Sequence, residues 1–389
     1  MSFNYDVIIV GAGPIGSTLA YKLALNNNIK VCLIDRKEKI GIPLQCAGIL
    51  SDEILKLNDL PDDVILNEVK GAYLHSPNQT LKVSKKQTAA YIIDRVQYDQ
   101  YLFKKAKNTN ITIKTNETVI KVDTKEGIVY TDKQELKAKI IIASDGANSI
   151  LAKQLNPKQK YYCAAQFLIK NLKEENTDYV DVFTKEEYFP GFIWKIPLKN
   201  QEYRVGIFSK KPFNTEKNIL KSFINEHLEN SELLDEYYAK IPIYNKNNKL
   251  VENRLLLIGD AAGQIKPTTG GGLILGFKAV QIAEEIIKNA LKENDYTILK
   301  EYEKSFKKQY NKELSTQLKV QKTLNLLSNE DLDYFFIKLR EKNLEQVISD
   351  YGEMDQQSKL VKEIIKKGYL FKIFPKILFK KITKIWGIK

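Results

Sequence analysis

The chain has 389 residues, and 61 Lys and Arg against 48 Asp and Glu give it a formal net charge of +13. A hydrophobic fraction of 43% and a charged fraction of 28% are typical of a globular chain with a sizeable core, which excludes disordered and fibrous proteins. Apolar runs such as Val7–Val10 and Leu255–Ile258 have the length of strands and fall short of the roughly 18 residues of a membrane-spanning helix. Integral membrane proteins are therefore excluded as well.

The first residues and the cysteines indicate the cellular compartment and whether disulfides or metal sites are to be expected. Met1–Asp6 leads directly into a strand without the features of an export signal, so we expect a cytoplasmic chain. The three cysteines, Cys32, Cys46 and Cys163, are odd in number and far apart, which fits neither a disulfide framework nor a CxxC metal site. With only two histidines in addition, the sequence predicts no metal centre.

A strand-turn-helix-strand unit opens the chain. The β-branched run Tyr5–Val10 leads into Gly11-Ala12-Gly13-Pro14-Ile15-Gly16, and Ser17–Leu25 then has helical spacing. A second apolar run, Lys30–Ile34, ends at Asp35, 19 residues after the last glycine. In this β-α-β context the GxGxxG pattern predicts a dinucleotide site at the start of a doubly wound sheet.

Each residue of this pattern has a separate expected role. Gly11 allows the tight turn, Gly13 lets the backbone approach a pyrophosphate, and Gly16 lets the helix lie close to the sheet. Ile15 lines that approach. The carboxylate of Asp35 favours hydrogen bonds to a free adenosine ribose, which points to FAD or NAD and away from a 2′-phosphorylated cofactor.

A second strand-turn-helix element favours FAD over NAD. The strand Leu256–Ile258 is followed by Gly259 and Asp260, and Asp260 is placed to bind the polyol of a ribityl chain. Gly270-Gly271-Gly272 and Leu273 then offer backbone N–H groups and a helix N-terminus. Such a positive pole stabilises charge on a reduced isoalloxazine ring.

A third element, the Asp-Gly turn in Ser144–Ser149, completes a pattern in which the chain resembles the FAD-dependent oxidoreductases of the p-hydroxybenzoate hydroxylase and glutathione reductase type. These proteins usually carry an Arg shortly downstream, where this chain has Ala152-Lys153. Within that superfamily the chain is most similar to the geranylgeranyl reductases, especially the archaeal digeranylgeranylglycerophospholipid reductases. The narrower resemblance rests on Gly41–Gly48, Asp94–Asp99, Phe192–Pro197 and Gly259–Leu273.

The resemblance implies an FAD-dependent reductase that saturates the isoprenoid double bonds of digeranylgeranylglycerophospholipid. The flavin-contacting positions that it implies are Ile15, Asp35, Cys46, Ala47, Arg95, Val119, Asp260, Gly272 and Leu273. Phe192 and Ile196 stand where these reductases often have Tyr and Phe, which preserves an apolar wall. The alternatives are an FAD-dependent monooxygenase of an aromatic or quinone substrate, and a basic flavoprotein that binds nucleic acid. The electron donor stays open among ferredoxin, a deazaflavin and NAD(P)H.

Several side chains allow two interpretations. Arg95 could clamp a phosphate or pair with Asp99 on the same helix. Cys46 could be the proton donor of the reduction or a small buried hydrophobe. Phe192 and Trp194 could line a polyprenyl tunnel or belong to the core of a sheet, and we expect a tunnel.

The pattern predicts an α/β protein in three parts. Residues 1–157 and 251–290 form a discontinuous Rossmann-like FAD-binding domain, and 158–250 form a substrate domain of the α+β kind with an antiparallel sheet. One helix is expected near Ile219–Leu234 in the second part. Residues 291–389 are rich in Lys and Glu and are expected to be helical.

The last segment, residues 366–389, holds eight lysines and no acidic residue, so the rest of the chain carries only a small part of the net charge. Large apolar residues alternate with these lysines, and Pro375 would kink the helix. This composition is typical of an interfacial helix that binds anionic lipid headgroups. We therefore expect a peripheral protein at the inner face of the cell membrane that does not bind nucleic acid. The alternative is that the apolar side packs on the body of the protein.

Overall fold

The structure is a computed structural model that describes residues 3–26, 28–171 and 176–387. The strands are β1 (Tyr5–Val10), β2 (Val31–Ile34), β3 (Ile49–Ser51), β4 (Ile65–Val69), β5 (Gly71–His75), β6 (Thr80–Ser84), β7 (Ala90–Ile93), β8 (Thr112–Lys114), β9 (Val119–Asp123), β10 (Ile128–Thr131), β11 (Glu135–Ala143), β12 (Tyr161–Lys170), β13 (Tyr179–Phe183), β14 (Ile193–Pro197), β15 (Glu202–Ser209), β16 (Glu232–Pro242), β17 (Val251–Glu252) and β18 (Leu255–Leu257). The helices are α1 (Pro14–Ala24), α2 (Ile54–Leu57), α3 (Arg95–Lys107), α4 (Ile150–Leu155), α5 (Phe213–His227), α6 (Leu273–Lys292), α7 (Lys300–Leu324), α8 (Asn329–Glu341), α9 (Leu344–Tyr351), α10 (Ser358–Lys366), α11 (Leu370–Ile373) and α12 (Phe379–Trp386).

The first sheet carries the glycine-rich turn. Its central strands are parallel in the order β18-β11-β1-β2-β8, and Val7 pairs with Ile140 on one side and Val31 on the other. Four of these strands hold runs of three or more apolar residues, namely β18, β11, β1 and β2, because helices cover the faces of a parallel sheet. β18 pairs with β11 although β12 to β16 of the second sheet lie between them in sequence, as a discontinuous FAD-binding domain requires. The limits 1–157 and 251–290 stay predictions.

The second sheet has the order β16-β12-β15-β14-β13-β5-β6. Its pairs are antiparallel except β13 with β5, which is parallel. The strands β5 and β6 lie within the range 1–157, so this sheet is wider than the expected segment 158–250. Their alternating pattern predicts strands correctly, but which partner an edge strand takes depends on contacts distant in sequence.

The expected helix near Ile219–Leu234 is wrong at its C-terminal end. The helix α5 ends at His227, and Leu233 instead belongs to β16, where it pairs with Ile169 of β12. Between them Asn230 adopts a left-handed conformation, φ 63°, which turns the chain back toward the sheet. The apolar pair at 233 and 234 fits either structure locally, and pairing with β12 decides between them.

The helices α7 to α12 form the third part of the fold. Residues 366–389 form the basic tail. Buried side chains of α8 and α9 pack against its residues Ile373, Phe374, Leu378 and Ile382. The tail is two short helices separated at Pro375, not one kinked helix. Its apolar side thus packs on the body, as the alternative interpretation held. Within the described part of the tail, which ends at residue 387, seven lysines are exposed, namely Lys366, Lys367, Lys372, Lys376, Lys380, Lys381 and Lys384.

Among the described residues, no helix is both long and apolar enough to cross a membrane.

Candidate active site

Three glycines of the β1-α1 turn meet three different surroundings. A Cβ on Gly11, which has φ 102°, would lie 2.5 Å from the carbonyl oxygen of Ser144, and one on Gly16 would lie 1.9 Å from the carbonyl oxygen of Gly11. These two positions need glycine because backbone packs against them. Apart from Gly13 and its chain neighbours, no atom of the described residues lies within 4 Å of the Cβ position of Gly13, which faces a large cavity.

The next strand presents a carboxylate at the same end of the cavity. Asp35 Oδ2 accepts a hydrogen bond from the N–H of Ala12 at 2.7 Å, and Oδ1 accepts one from the N–H of Lys37 at 2.8 Å. The two backbone bonds fix the carboxylate beside the glycine turn, where its remaining lone pairs can accept ribose hydroxyls. Val119 of β9 lies in the wall nearby and is almost fully buried.

A polar atom in this wall supports the fit of a dinucleotide. Asp145 Oδ1 is buried, and no described residue hydrogen-bonds to it. Burial raises the pKa of Asp145 to about 6. A buried carboxylate oxygen without a donor is costly, so a hydroxyl group of a bound molecule would stabilise Oδ1. The residues present therefore fit the predicted cofactor at this end.

The second glycine turn, residues 259–272 between β18 and α6, forms another wall. Burial raises the pKa of Asp260, and the nearby guanidinium of Arg95 opposes that shift. A Cβ on Gly272 would lie 2.7 Å from Asp260 Oδ1, so a larger residue here would displace this carboxylate. The helix α6 starts at Leu273 without a side-chain cap, and its first residues line the cavity. Its backbone N–H groups supply the positive pole that the sequence predicts.

The loop that contains Cys46 faces this turn. Cys46 Sγ accepts a hydrogen bond from the N–H of Gly48 at 3.4 Å. Arg95 lines the cavity and also forms a bidentate pair with Asp99, with N···O distances of 3.0 and 3.1 Å. Burial alone would lower the pKa of Arg95, but Asp99 holds it above its usual value. Both interpretations of Arg95 are thus compatible with one geometry.

Arg204 of β15 supports the same loop and was not among the predicted residues. It is 5% exposed, and its Nη1 donates to the carbonyl oxygens of Ala47 at 2.8 Å and Ile93 at 3.0 Å. Its Nε is buried and finds no hydrogen-bond partner in the described parts of the chain. A lone Arg between Tyr203 and Val205 in an apolar strand is the signal that could have revealed it.

Aromatic side chains form the wall on the side of the second sheet. The ring of Phe192 makes edge contacts with Trp194 and Phe208 at centroid distances of 6.1 and 5.3 Å. Trp194 Nε1 donates to Gln166 Oε1 at 3.1 Å, and Gln166 Nε2 donates to the carbonyl oxygen of Cys46 at 3.4 Å. Phe192 and Trp194 therefore lie in the cavity wall and are linked to the cysteine loop.

All these walls enclose one cavity of about 970 Å³. The C-terminal helices line the same cavity mostly with apolar side chains, among them Leu324, Phe336, Leu339, Ile364, Ile373 and Phe374. No residue of α10 is buried, because its apolar side faces the cavity instead of a packed core. The sequence predicted a tunnel from the second sheet but did not show that the C-terminal helices close it.

The fold and the site together define an FAD-binding flavoprotein. Residues 4–312 match the family described as FAD binding domain. The chain is 32% identical to an uncharacterized protein of Methanocaldococcus jannaschii, with 96% of this chain and 99% of that one aligned.

Two further comparisons are more specific. The chain is 30% identical to the digeranylgeranylglycerophospholipid reductase of Methanocaldococcus jannaschii, over 96% of this chain and 98% of that protein. A crystal structure of a geranylgeranyl bacteriochlorophyll reductase-like protein from Thermoplasma acidophilum superposes with a TM-score of 0.84 at 25% identity, covering 98% of this chain and 99% of that one. The chain belongs to the FAD-binding family of the digeranylgeranylglycerophospholipid reductases. It is an FAD-dependent oxidoreductase, and the FAD expected from the sequence is confirmed.

Proposed function

We propose that this enzyme reduces the isoprenoid C=C bonds of a digeranylgeranylglycerophospholipid to give saturated phytanyl chains. The observation that carries the proposal is the largely apolar cavity that is lined both by the second glycine turn and by the C-terminal helices. A long chain without polar groups fits such a cavity, whereas a compact ring would leave most of it empty. The relative that bears this name aligns over nearly its whole length with the chain.

The residues of the first sheet hold the cofactor in this proposal. Gly11, Gly13 and Ile15 line the position of the pyrophosphate, and Gly16 lets α1 pack closely behind it. Asp35 and Val119 contact the adenosine half. Asp260, Gly272 and Leu273 with Cys46, Ala47 and Arg95 surround the flavin half. When bound, FAD supplies the hydride of the reduction.

The chain itself contributes orientation, exclusion of water and a proton. The apolar wall of Phe192 and Trp194 holds the alkene in one orientation, and an unactivated alkene depends strongly on such positioning. Cys46, which lies in the cavity wall, is the proposed proton donor to the second carbon. If the thiol donates that proton, Cys46→Ala retains FAD but loses most of its turnover. Full turnover in that variant would assign the proton to water.

An anaerobic reaction tests the activity directly. Holoenzyme reduced chemically is incubated with digeranylgeranylglyceryl phosphate, and mass spectrometry should detect a gain of two hydrogens per bond. A matched pair of variants tests the cavity: Ile364 lines it on α10, whereas its neighbour Ile365 is 39% exposed and does not. Ile364→Trp should slow the reduction, and Ile365→Trp should not. Equal effects of the two variants would contradict the proposed location of the isoprenoid chain in this cavity.

The second candidate is a flavin monooxygenase of an aromatic or quinone substrate. It would consume oxygen in proportion to product, whereas a reductase transfers two hydrogens to the lipid without oxygen. An oxygen electrode therefore separates the two. The external electron donor belongs to the proposal as well, and the same lipid assay with ferredoxin, a reduced deazaflavin or NAD(P)H identifies it.

We also propose that the protein acts at an anionic membrane surface, on the inner face of the cell membrane. In the tail, Ile377 is 84% exposed and is flanked by the exposed Lys376 and Lys380. An apolar side chain among cations is suited to a surface of anionic headgroups. The double variant Lys376→Glu and Lys380→Glu should lose binding to anionic vesicles.

The control carries the same charge change elsewhere. Lys104 and Lys107 are exposed on α3 and lie outside the tail. Their double Glu variant should bind anionic vesicles as the unaltered protein does, and neither protein should bind zwitterionic vesicles. Equal losses in both variants would indicate a general charge effect and would refute a specific role of the tail.

A further inference from the structure

Lys266 lies inside the second glycine turn. The N–H of Lys266 donates to the carbonyl oxygen of Gly271 at 3.0 Å, and the N–H of Gly270 donates to that of Lys266 at 2.9 Å. Its side chain folds back on the turn, since Cε and Nζ lie 3.0 and 3.4 Å from the Cβ position of Gly271. The ammonium group is thus in the cavity wall beside the turn.

The position of this turn along the cavity indicates which half of FAD meets it. Gly13 and Asp35, which the sequence assigns to the adenosine half, and Asp260, which it assigns to the ribityl chain, all line the same cavity. The remaining half of the cofactor must extend past Asp260 into the space between Gly270–Gly272 and the Cys46 loop. A flavin ring in this space would lie close to the ammonium group of Lys266.

Asp355, in the loop between α9 and α10, is the counter-ion of this lysine. Lys266 Nζ and Asp355 Oδ1 are 2.5 Å apart, and the two side chains are only 8% and 6% exposed. Ser51 Oγ donates to the other oxygen of Asp355. Burial alone would raise the pKa of Asp355, but Lys266 lowers it below its usual value. The lowered pKa keeps the Asp355 carboxylate charged beside the lysine.

A buried ion pair gives little net stability, because the loss of hydration offsets much of the attraction. Its local field is strong for the same reason, since few water molecules screen it. Next to it, the N-terminus of α6 adds a positive pole. A negative charge on a reduced flavin would thus be attracted by the ammonium group of Lys266. The neighbouring carboxylate of Asp355 would weaken that attraction.

We propose that the buried pair Lys266–Asp355 sets the reduction potential of the bound flavin. Lys266 stabilises the reduced, anionic ring and raises the potential, and Asp355 limits this effect. The inference rests on FAD binding and on the ring lying at the second turn. It does not depend on the lipid substrate, so a failed lipid assay leaves it intact.

The test is the sign of the shift in potential, measured by anaerobic dye equilibration of the flavin absorbance in the holoprotein. Lys266→Met should make the potential more negative, with reduced flavin bound roughly tenfold more weakly relative to oxidised flavin. Asp355→Asn should make it more positive. The double variant should lie between them, and Lys266→Arg should retain the unaltered potential.

Controls separate this role from a structural one. Lys288→Met removes a cation that pairs with Glu284 on α6 at 2.7 Å, and it should not change the potential. A purely structural pair predicts a lower thermal stability for both single variants without opposite shifts. The double variant leaves no unpaired buried charge, so it keeps the test possible if a single variant fails to fold. Shifts of one sign, no shifts, or a double variant outside the range of the two single variants would overturn the proposal.

Discussion

The glycines of the β1-α1 turn differ in what a methyl group would contact if it replaced one of their hydrogen atoms. This difference separates a role in FAD binding from a role in folding. Gly13→Ala places a methyl group in open cavity at an ordinary φ of −64°, so the chain should fold but bind FAD at least roughly tenfold more weakly. Gly16→Ala places it against the carbonyl oxygen of Gly11 and should destabilise the apoprotein as well. Urea unfolding of the apoproteins and fluorescence titration with FAD check both effects. A destabilised Gly13→Ala apoprotein would contradict this assignment.

A buried carboxyl group predicts how stability depends on pH. Glu216 is fully buried, and burial raises its pKa from 4.5 to about 7. Between these values the folded protein holds a proton that the unfolded chain releases, so the contribution of this group falls as the pH rises. The loss is complete above about pH 7 and amounts to at most about 3 kcal/mol.

Removing this titration should therefore stabilise the protein only at high pH. Glu216→Gln should match the unaltered protein in urea unfolding at pH 5 and exceed it at pH 8. Glu229→Gln, at an exposed position, should show no such difference. Equal effects of Glu216→Gln at both values would mean that Glu216 is not neutral in the folded state at pH 5.

At the scale of elements, the cap of α3 connects helix stability with the site. Asp94 accepts hydrogen bonds from the N–H groups of Val96 and Gln97 at 2.9 and 3.0 Å, and Arg95 follows it in the cavity wall. Asp94→Ala should lower the free energy of unfolding by about 1 kcal/mol and also weaken FAD binding, because it loosens the helix start that carries Arg95.

The matched control is the cap of a helix in the third part of the fold. Ser328 forms a capping box with Asp331 at the start of α8, which carries no predicted flavin contact. Ser328→Ala should have a similar cost in unfolding and no effect on FAD affinity. If both variants lost FAD to the same degree, the loss would reflect general destabilisation and not the position of Arg95.

At the scale of the whole molecule, the tail belongs to the folded body. Four of its side chains, Ile373, Phe374, Leu378 and Ile382, are at most 6% exposed, and each buried apolar side chain contributes about 1.5–3 kcal/mol. Deleting residues 366–389 should therefore cost roughly 6 kcal/mol or more in urea unfolding. The charge variants of the tail should retain the stability of the unaltered protein. A truncated protein of full stability would show that the tail is not part of the core.

Particular residues show which parts of the fold and of the site can be predicted from the sequence. The glycine pattern with Asp35 and the second turn with Asp260 were sufficient to predict the first sheet and FAD, because their spacing has few other uses. Asp355 could not be found in this way, because it lies far from Lys266 in sequence and nothing near it differs from an ordinary polar loop. Arg204 likewise acts on a loop that is distant along the chain.

What the sequence by itself determined is local: strands, helix starts, the glycine turns and the basic composition of the tail. Each follows from short-range sterics, hydrogen bonding and charge. The tertiary structure decided that β5 and β6 join the second sheet, that Leu233 lies in a strand, and that the tail and α10 close the cavity. These outcomes depend on which apolar surfaces meet in three dimensions. An apolar run indicates that a segment will be buried, but its partner is chosen by packing against the rest of the molecule.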